Sequence, residues 1–220
     1  MFSRILLIIT VIISGFSSIN AKELDAVVIY KKCASAVVQI KIPNGSATGF
    51  IISKDGWIVT NKHVVQDDSG RVYKPEEILI ITKDSCKFHP IIVDDAEDFT
   101  KLDISLLKID TTNLPYLKLL PSDDAEIGEN IVTIGHPEDL YWTITKGILS
   151  NYYQTNYIQM ALATNSGNSG GPVINASGYV VGVHTMGFKS MQLTNFATKI
   201  SGVRKILKKR GILKKLLSSQ

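Results

Sequence analysis

The sequence predicts an all-β chain in two halves, with a helix at its C-terminal end. Runs rich in β-branched residues, among them GFIIS, WIVT, ILIIT, ISLLKI, IVTIG, WTITKGILS, PVIN and YVVGVHT, recur between turn residues. Strands punctuated in this way build a barrel or a sandwich. The segment LPYLKLLPSDDAEIG, from Leu114 to Gly128, interrupts the pattern with two prolines and an acidic cluster, which places the join between halves near residues 112–127. Helical spacing of apolar residues is found mainly at the ends, around Leu24 to Ala34 and from about Ile200 onward.

In chain order, Arg4 precedes the apolar run ILLIITVII at positions 5–13, and small and polar residues follow as far as Ala21. That is the pattern of a secretory signal peptide over 1–21. The run stops at Ser14 and Gly15, short of the roughly 20 apolar residues that cross a bilayer. Export to a periplasm or out of the cell is therefore expected. The remaining chain divides into 22–118 and 119–199, one β unit each, and a basic helix or tail over 200–220. Only Cys33 and Cys86 are present; an oxidising compartment permits them to pair if their Cα atoms come within bridging distance. Their spacing matches no metal motif.

Charge is unevenly divided. Through Asp139 there are fourteen Lys or Arg against twenty Asp or Glu, and beyond it ten basic residues and no acid. From Lys199 to Lys215 eight Lys or Arg are interleaved with Ile200, Val203, Ile206, Leu207, Leu213, Leu216 and Leu217. Such a helix packs its apolar stripe onto the core with its lysines solvated, or lies on an anionic membrane surface. Gly211 interrupts it. No aromatic-rich reading surface accompanies the charge, so nucleic acid is not an expected partner.

The sharpest chemical signal is GNSGGP, from Gly167 to Pro172. Its glycines permit close backbone approach and φ values that other residues resist. Ser169 can there attack a carbonyl, with the backbone N–H groups of Gly167 and Ser169 holding the oxyanion. A serine hydroxyl is a weak nucleophile without a base. Of the four histidines, His63 in TNKHVV follows the strand–turn–strand pattern GFIISKDGWIVT, which delivers it to the end of a β unit. His89 and His136 have weaker contexts and read as structural. Asp103 opens DISLLKID, an acid leading into a buried strand and suited to orient an imidazole.

The segments SATGFIISKDGWIVTNKHVV, DISLLKI, IGENIVTIGHP, TITKGILS, GNSGGPVIN and NFATKI occur in this order. Together they resemble the protease domain of the HtrA/Deg branch of trypsin-like peptidases, over most of residues 24–210. The resemblance implies two six-stranded antiparallel β-barrels of the chymotrypsin type with a C-terminal helix. It implies the triad His63, Asp103 and Ser169 in the cleft between the barrels. It further implies that the Thr185 hydroxyl supports the triad carboxylate and that Thr185, Met186 and Gly187 pair with an extended polypeptide substrate. Asn168 stands where digestive relatives carry the aspartate that a new N-terminus switches on, so zymogen activation is not expected. The chain ends at Gln220, about 20 residues after NFATKI, and a following PDZ domain is not expected. No metal or organic cofactor is called for.

Three positions bear on specificity. Ala163, six residues before Ser169, brings no charge for a basic side chain. Thr164 and His184 resemble the pocket pair of glutamyl endopeptidases and of chymotrypsin-fold cysteine proteases of small RNA viruses. An imidazole N–H and a hydroxyl supply two convergent donors for a carboxylate or amide. The expectation is an exported serine endopeptidase preferring Glu, then Gln or Asp, before the scissile bond. The alternatives are a broad-specificity quality-control protease, in which His184 is a core residue, and a pseudoprotease that binds without turnover.

Overall fold

A computed structural model describes residues 25–94, 102–122, 125–187 and 193–218. The apolar leader over 1–21 lies outside them. The β-branched runs form two sheets. In the first, β1 (Val37–Ile42), β2 (Gly45–Ile51), β3 (Trp57–Thr60), β4 (Leu79–Ile81), β5 (Lys87–Phe88), β6 (Ile92–Asp94) and β7 (Ser105–Lys108) pair in the order β5-β4-β1-β2-β3-β7-β6. In the second, β8 (Lys118–Leu119), β9 (Asn130–Gly135), β10 (Thr143–Tyr153), β11 (Tyr157–Ala161), β12 (Pro172–Asn175), β13 (Tyr179–Gly187) and β14 (Asn195–Lys199) pair in the order β12-β9-β10-β11-β14-β13-β8. Because β12 also pairs with β13, six of these strands close a ring.

The expected six strands per barrel hold for that ring and not for the sheets as wholes. Each sheet carries seven strands among the described residues, and the additions are short. β5 is a two-residue ladder on β4, and β8 is a two-residue parallel ladder on β13 through Tyr179 and Val180. The connection between the halves is tied to both. The Leu117 N–H donates to the Ile51 carbonyl at 2.9 Å, and the Leu120 N–H to Val180 at 2.9 Å.

The β2–β3 hairpin that carries the site's first residues turns at Gly56, whose φ is +94°. A Cβ there would lie 2.6 Å from the Ile109 carbonyl oxygen, so the turn needs glycine for both reasons. Below it, Phe50, Ile51, Ile58, Val59, Leu106 and Leu107 are fully buried. The same core extends across the join to Val132, Ile134 and Val183 of the second sheet.

Helix α1 (Ala26–Cys33) is capped by Asp25, whose Oδ1 accepts from the N–H groups of Val27 and Val28 at 2.9 and 3.2 Å. It buries Ile29 and Cys33. Cys33 is buried and Cys86 exposed, and both are free thiols; burial pushes the Cys33 thiol up from its usual range. The basic segment forms α2 (Ile200–Lys209) and α3 (Ile212–Ser218), broken at Gly211 with φ +70°. Ile200, Val203, Ile206, Leu207, Ile212 and Leu216 all join the core. Lys205, Lys208, Lys209, Lys214 and Lys215 face solvent, while Arg210 reaches Asp94 with Nε 2.6 Å from Oδ2. These apolar residues pack into the protein's own core, and the five lysines lie on the outward face of the two helices.

Ile206→Ala should lower unfolding free energy by about 2–5 kcal/mol, the range for an emptied core site. Urea denaturation checks this; a loss below about 0.5 kcal/mol would mean the helix is a loosely attached tail.

Candidate active site

The first barrel carries the expected base, His63, and its expected orienting acid, Asp103. β3 ends at Thr60, and the chain turns through Asn61 into a single 3-10 turn over Lys62–Val64. This lifts His63 to the surface with its side chain half exposed. Asp103 lies just ahead of β7, the partner of β3. Its Oδ1 accepts the His63 backbone N–H at 3.0 Å, and its Oδ2 lies 2.6 Å from His63 Nδ1. An ionised carboxylate only accepts, so Nδ1 carries the proton and Nε2 of the neutral ring is left as the base. Asn61 braces the pair: its Nδ2 donates to the Asp103 carbonyl at 2.7 Å.

The second barrel carries Ser169, the expected nucleophile, on a loop whose carbonyls from Ser166 to Ser169 are turned onto the protein. The Ser166 oxygen accepts from the Glu138 N–H at 2.9 Å, Gly167 from Thr48 Oγ1 at 2.7 Å, Asn168 from the Gly171 N–H at 2.9 Å and Ser169 from the Thr48 N–H at 2.9 Å. In a trans peptide the N–H points opposite to the preceding carbonyl. The Gly167 and Ser169 N–H groups are thereby turned away from these anchors, and neither has an acceptor among the described residues. Two such free donors beside a serine are the arrangement that an oxyanion site needs.

Glycine is required at both flanks of this loop. Gly167 has φ +98° and a Cβ there would stand 2.2 Å from the His136 carbonyl oxygen; Gly170 has φ +82°, with Thr48 O and Thr60 Oγ1 both at 2.2 Å. The Gly170 Cβ position is also 3.1 Å from the Asn61 nitrogen, which brings the serine loop alongside the His63 turn. Among the described residues no hydrogen bond joins His63 to Ser169. Catalytic hydrogen bonds are often long before substrate binds.

The profile of the trypsin-like peptidase domain family matches residues 47–183. The chain belongs to this family. It is 38% identical over 148 residues to the probable periplasmic serine endoprotease DegP-like of Halomonas elongata, covering 64% of this chain and 29% of that protein. The protein of the same name from Chlamydia pneumoniae is 37% identical over 146 residues, 63% of this chain and 28% of that one. The chain thus spans under a third of the length of these relatives. The crystal structure of the serine endoprotease from Yersinia pestis superposes with a TM-score of 0.71 at 28% identity, covering 84% of this chain and 65% of that one.

Thr185 departs from the role expected of it in a trypsin-like peptidase. Its Oγ1 lies 2.9 Å from both the Val183 carbonyl and Thr198 Oγ1, and 3.4 Å from Asn61 Nδ2. Both carboxylate oxygens of Asp103 are instead engaged by His63, and Thr185 reaches the acid only through Asn61. At the strand edge, β14 pairs with β13 through Gly187, the ladder between β12 and β13 ends at Val183, and Met186 and Gly187 are exposed. Beyond Val183 that edge has no partner strand among the described residues.

Around the expected specificity pocket of this peptidase domain, Ala163 is exposed and Thr164 half-buried. Thr164 Oγ1 lies 3.1 Å from His184 Nε2 and 2.6 Å from Asn195 Oδ1. Asn195 Nδ2 donates to the Leu162 carbonyl at 2.6 Å. Burial first, and the nearby His63 second, push the His184 imidazole down to about 4, so it is neutral at physiological pH. The other histidines serve the framework. His89 Nδ1 lies 2.7 Å from the Ile78 carbonyl oxygen, and His136, fully buried, accepts the Trp142 N–H on Nδ1 at 3.2 Å.

Three residues of the site carry no motif signal of their own: Thr48, Asn61 and Asn195. Each lies inside a segment that resembles the family, but its partner is more than thirty positions away in sequence. Two outcomes follow from the geometry. Thr48→Val removes the hydroxyl that serves both the Gly167 carbonyl and the His136 N–H. It should cost about 1–3 kcal/mol of stability and slow hydrolysis of an activated ester at least about tenfold. For His184, the unfolded chain binds a proton below about 6.5 while the native chain resists it down to about 4. Stability should fall as pH drops through this window, by up to about 3 kcal/mol. Denaturation midpoints should show a flatter acid limb in His184→Gln.

Proposed function

We propose that the chain is an exported serine endopeptidase, cleaving polypeptides through an acyl-enzyme with Glu, Gln or Asp before the scissile bond. The observation that carries the reading is the His63–Asp103 pair beside a serine loop with two free N–H donors. His63 Nε2 takes the Ser169 proton as Oγ bonds to the substrate carbonyl carbon. The Gly167 and Ser169 N–H groups hold the oxyanion, and the C–N bond breaks as the imidazole returns the proton to the leaving amine. Water then attacks the ester, giving its proton to Nε2, and Ser169 is reprotonated as the acid departs. The open edge at Met186 and Gly187 suits a substrate bound as an added strand.

Export is supported by the leader pattern over 1–21 and by relatives named as periplasmic. The polar preference is supported by the hydroxyl, imidazole and carboxamide gathered at Thr164, His184 and Asn195. A broad-specificity protease is the second reading, favoured by exposed Ala163, which brings no polar group to the site. Contact of the lysine face of α2 and α3 with anionic membranes stays a subsidiary proposal, electrostatic only.

Asp103→Asn should lower kcat about ten-thousandfold, because the imidazole loses the partner that sets its tautomer. A panel of peptides varied before the scissile bond decides specificity. Faster cleavage after Glu, Gln or Asp than after Ala and Val supports the proposal; equal rates support the broad reading.

A further inference from the structure

The pocket beside the serine has a proton inventory that can be worked out from fixed points. The Leu162 carbonyl only accepts, so the Asn195 atom 2.6 Å from it is the amide nitrogen. The atom facing Thr164 is then the Asn195 oxygen, which also only accepts. Thr164 has one hydroxyl proton, and at 2.6 Å it goes to Asn195. The contact of 3.1 Å between Thr164 Oγ1 and His184 Nε2 must therefore be donated by the imidazole. Nε2 carries the proton, and Nδ1, buried and without a partner among the described residues, keeps its lone pair.

The chain of donors runs one way, from His184 to Thr164 to Asn195. Both donors that the pocket could have offered to a substrate carboxylate are already committed. What is left over is a lone pair on Thr164 Oγ1, one on Asn195 Oδ1, and the second amide proton of Asn195. The buried carboxamide lies beneath the strand edge at Gly187. A Cβ on exposed Gly187 would stand 2.2 Å from Asn195 Oδ1 and 3.9 Å from Thr164 Oγ1, so these atoms occupy the space over that strand edge.

We propose that Asn195 determines the primary specificity of this site: by accepting the Thr164 proton it leaves the pocket rich in acceptors, which selects an uncharged carboxamide side chain, Gln foremost, over Glu or Asp. A carboxamide donates two protons to the remaining lone pairs and accepts the remaining amide proton. A carboxylate brings only acceptors: it could take the one remaining amide proton but would face the two remaining lone pairs unpaired. A substrate ammonium finds no counter-charge at Ala163, and an unpaired buried charge is costly. The neutral state of the buried imidazole, held at about 4, removes charge attraction as a compensating term at neutral pH. This inference rests on the endopeptidase reading above and narrows its substrate class.

The test compares kcat/KM for matched peptides with Gln, Glu or Ala before the scissile bond at pH 7.5, in the full chain and in Thr164→Val, Thr164→Ser and Asn195→Ala. The wild type should favour Gln over Glu by at least about tenfold, the scale of one well-placed hydrogen bond to a buried partner. Thr164→Val frees the imidazole N–H and Asn195→Ala frees the hydroxyl proton, so each should cut that ratio at least about threefold, whereas Thr164→Ser keeps the relay and the ratio. Specificity is read as the Gln-to-Glu ratio within each variant, with the Ala peptide as the internal reference that shows the variant is folded and active. If Asn195→Ala does not fold, the wild-type ratio and the Thr164 pair decide. Cleavage after Glu at least as fast as after Gln overturns this inference and leaves the endopeptidase proposal standing; no cleavage of any peptide overturns the proposal itself.

Discussion

One residue of the first barrel organises the nucleophile of the second. Thr48, on β2, gives its N–H to the Ser169 carbonyl and its hydroxyl to the Gly167 carbonyl, and that hydroxyl accepts the His136 N–H. Its own carbonyl accepts from Thr60 Oγ1 at 2.8 Å, linking the clamp to the strand that ends at the His63 turn. Two of these bonds fix the peptide planes that follow Gly167 and Ser169, and so flank the planes that carry the two free N–H groups. In a low-dielectric interior an unmade bond of this kind is costly, so the loop and the first barrel are positioned as one unit.

The rest of the site follows from that unit. The β2–β3 hairpin places Thr48 and Thr60, the turn after Thr60 places His63, and β7 beside β3 brings Asp103 to it. On the other side, β13 passes behind the loop, where the Gly170 N–H donates to the His184 carbonyl at 2.9 Å and the His184 N–H to Gly171 at 2.8 Å. The loop therefore lies between the triad partners and the specificity residues, fastened to both. The expected triad and the expected specificity residues share a single backbone framework, with His63 close enough to bias the His184 imidazole.

The readable parts of the sequence were those in which a local pattern carries the physics. Strand runs, the break near residues 112–127 and the glycines of GNSGGP are local, since φ values and alternation depend on neighbours in the chain. The two-residue strand β8 gave no pattern, because periodicity needs several residues to register. Thr48 and Asn195 were silent for a different cause. A threonine in a strand and an asparagine at a strand start are unremarkable until register sets Thr48 against the serine loop and Asn195 opposite Gly187. Thr185 shows the converse error. Its position in VHTMG suggested a bond to Asp103, but its hydroxyl is satisfied by Val183 and Thr198.

The account turns on Ser169 being the activated group. Treating the full chain with a fluorophosphonate and mapping the adduct by peptide mass spectrometry tests this without a known substrate. The account predicts one adduct per chain, on Ser169, lost in Ser169→Ala and strongly slowed in His63→Ala. Stoichiometric modification of another residue, or none in a chain shown to be folded, would contradict it.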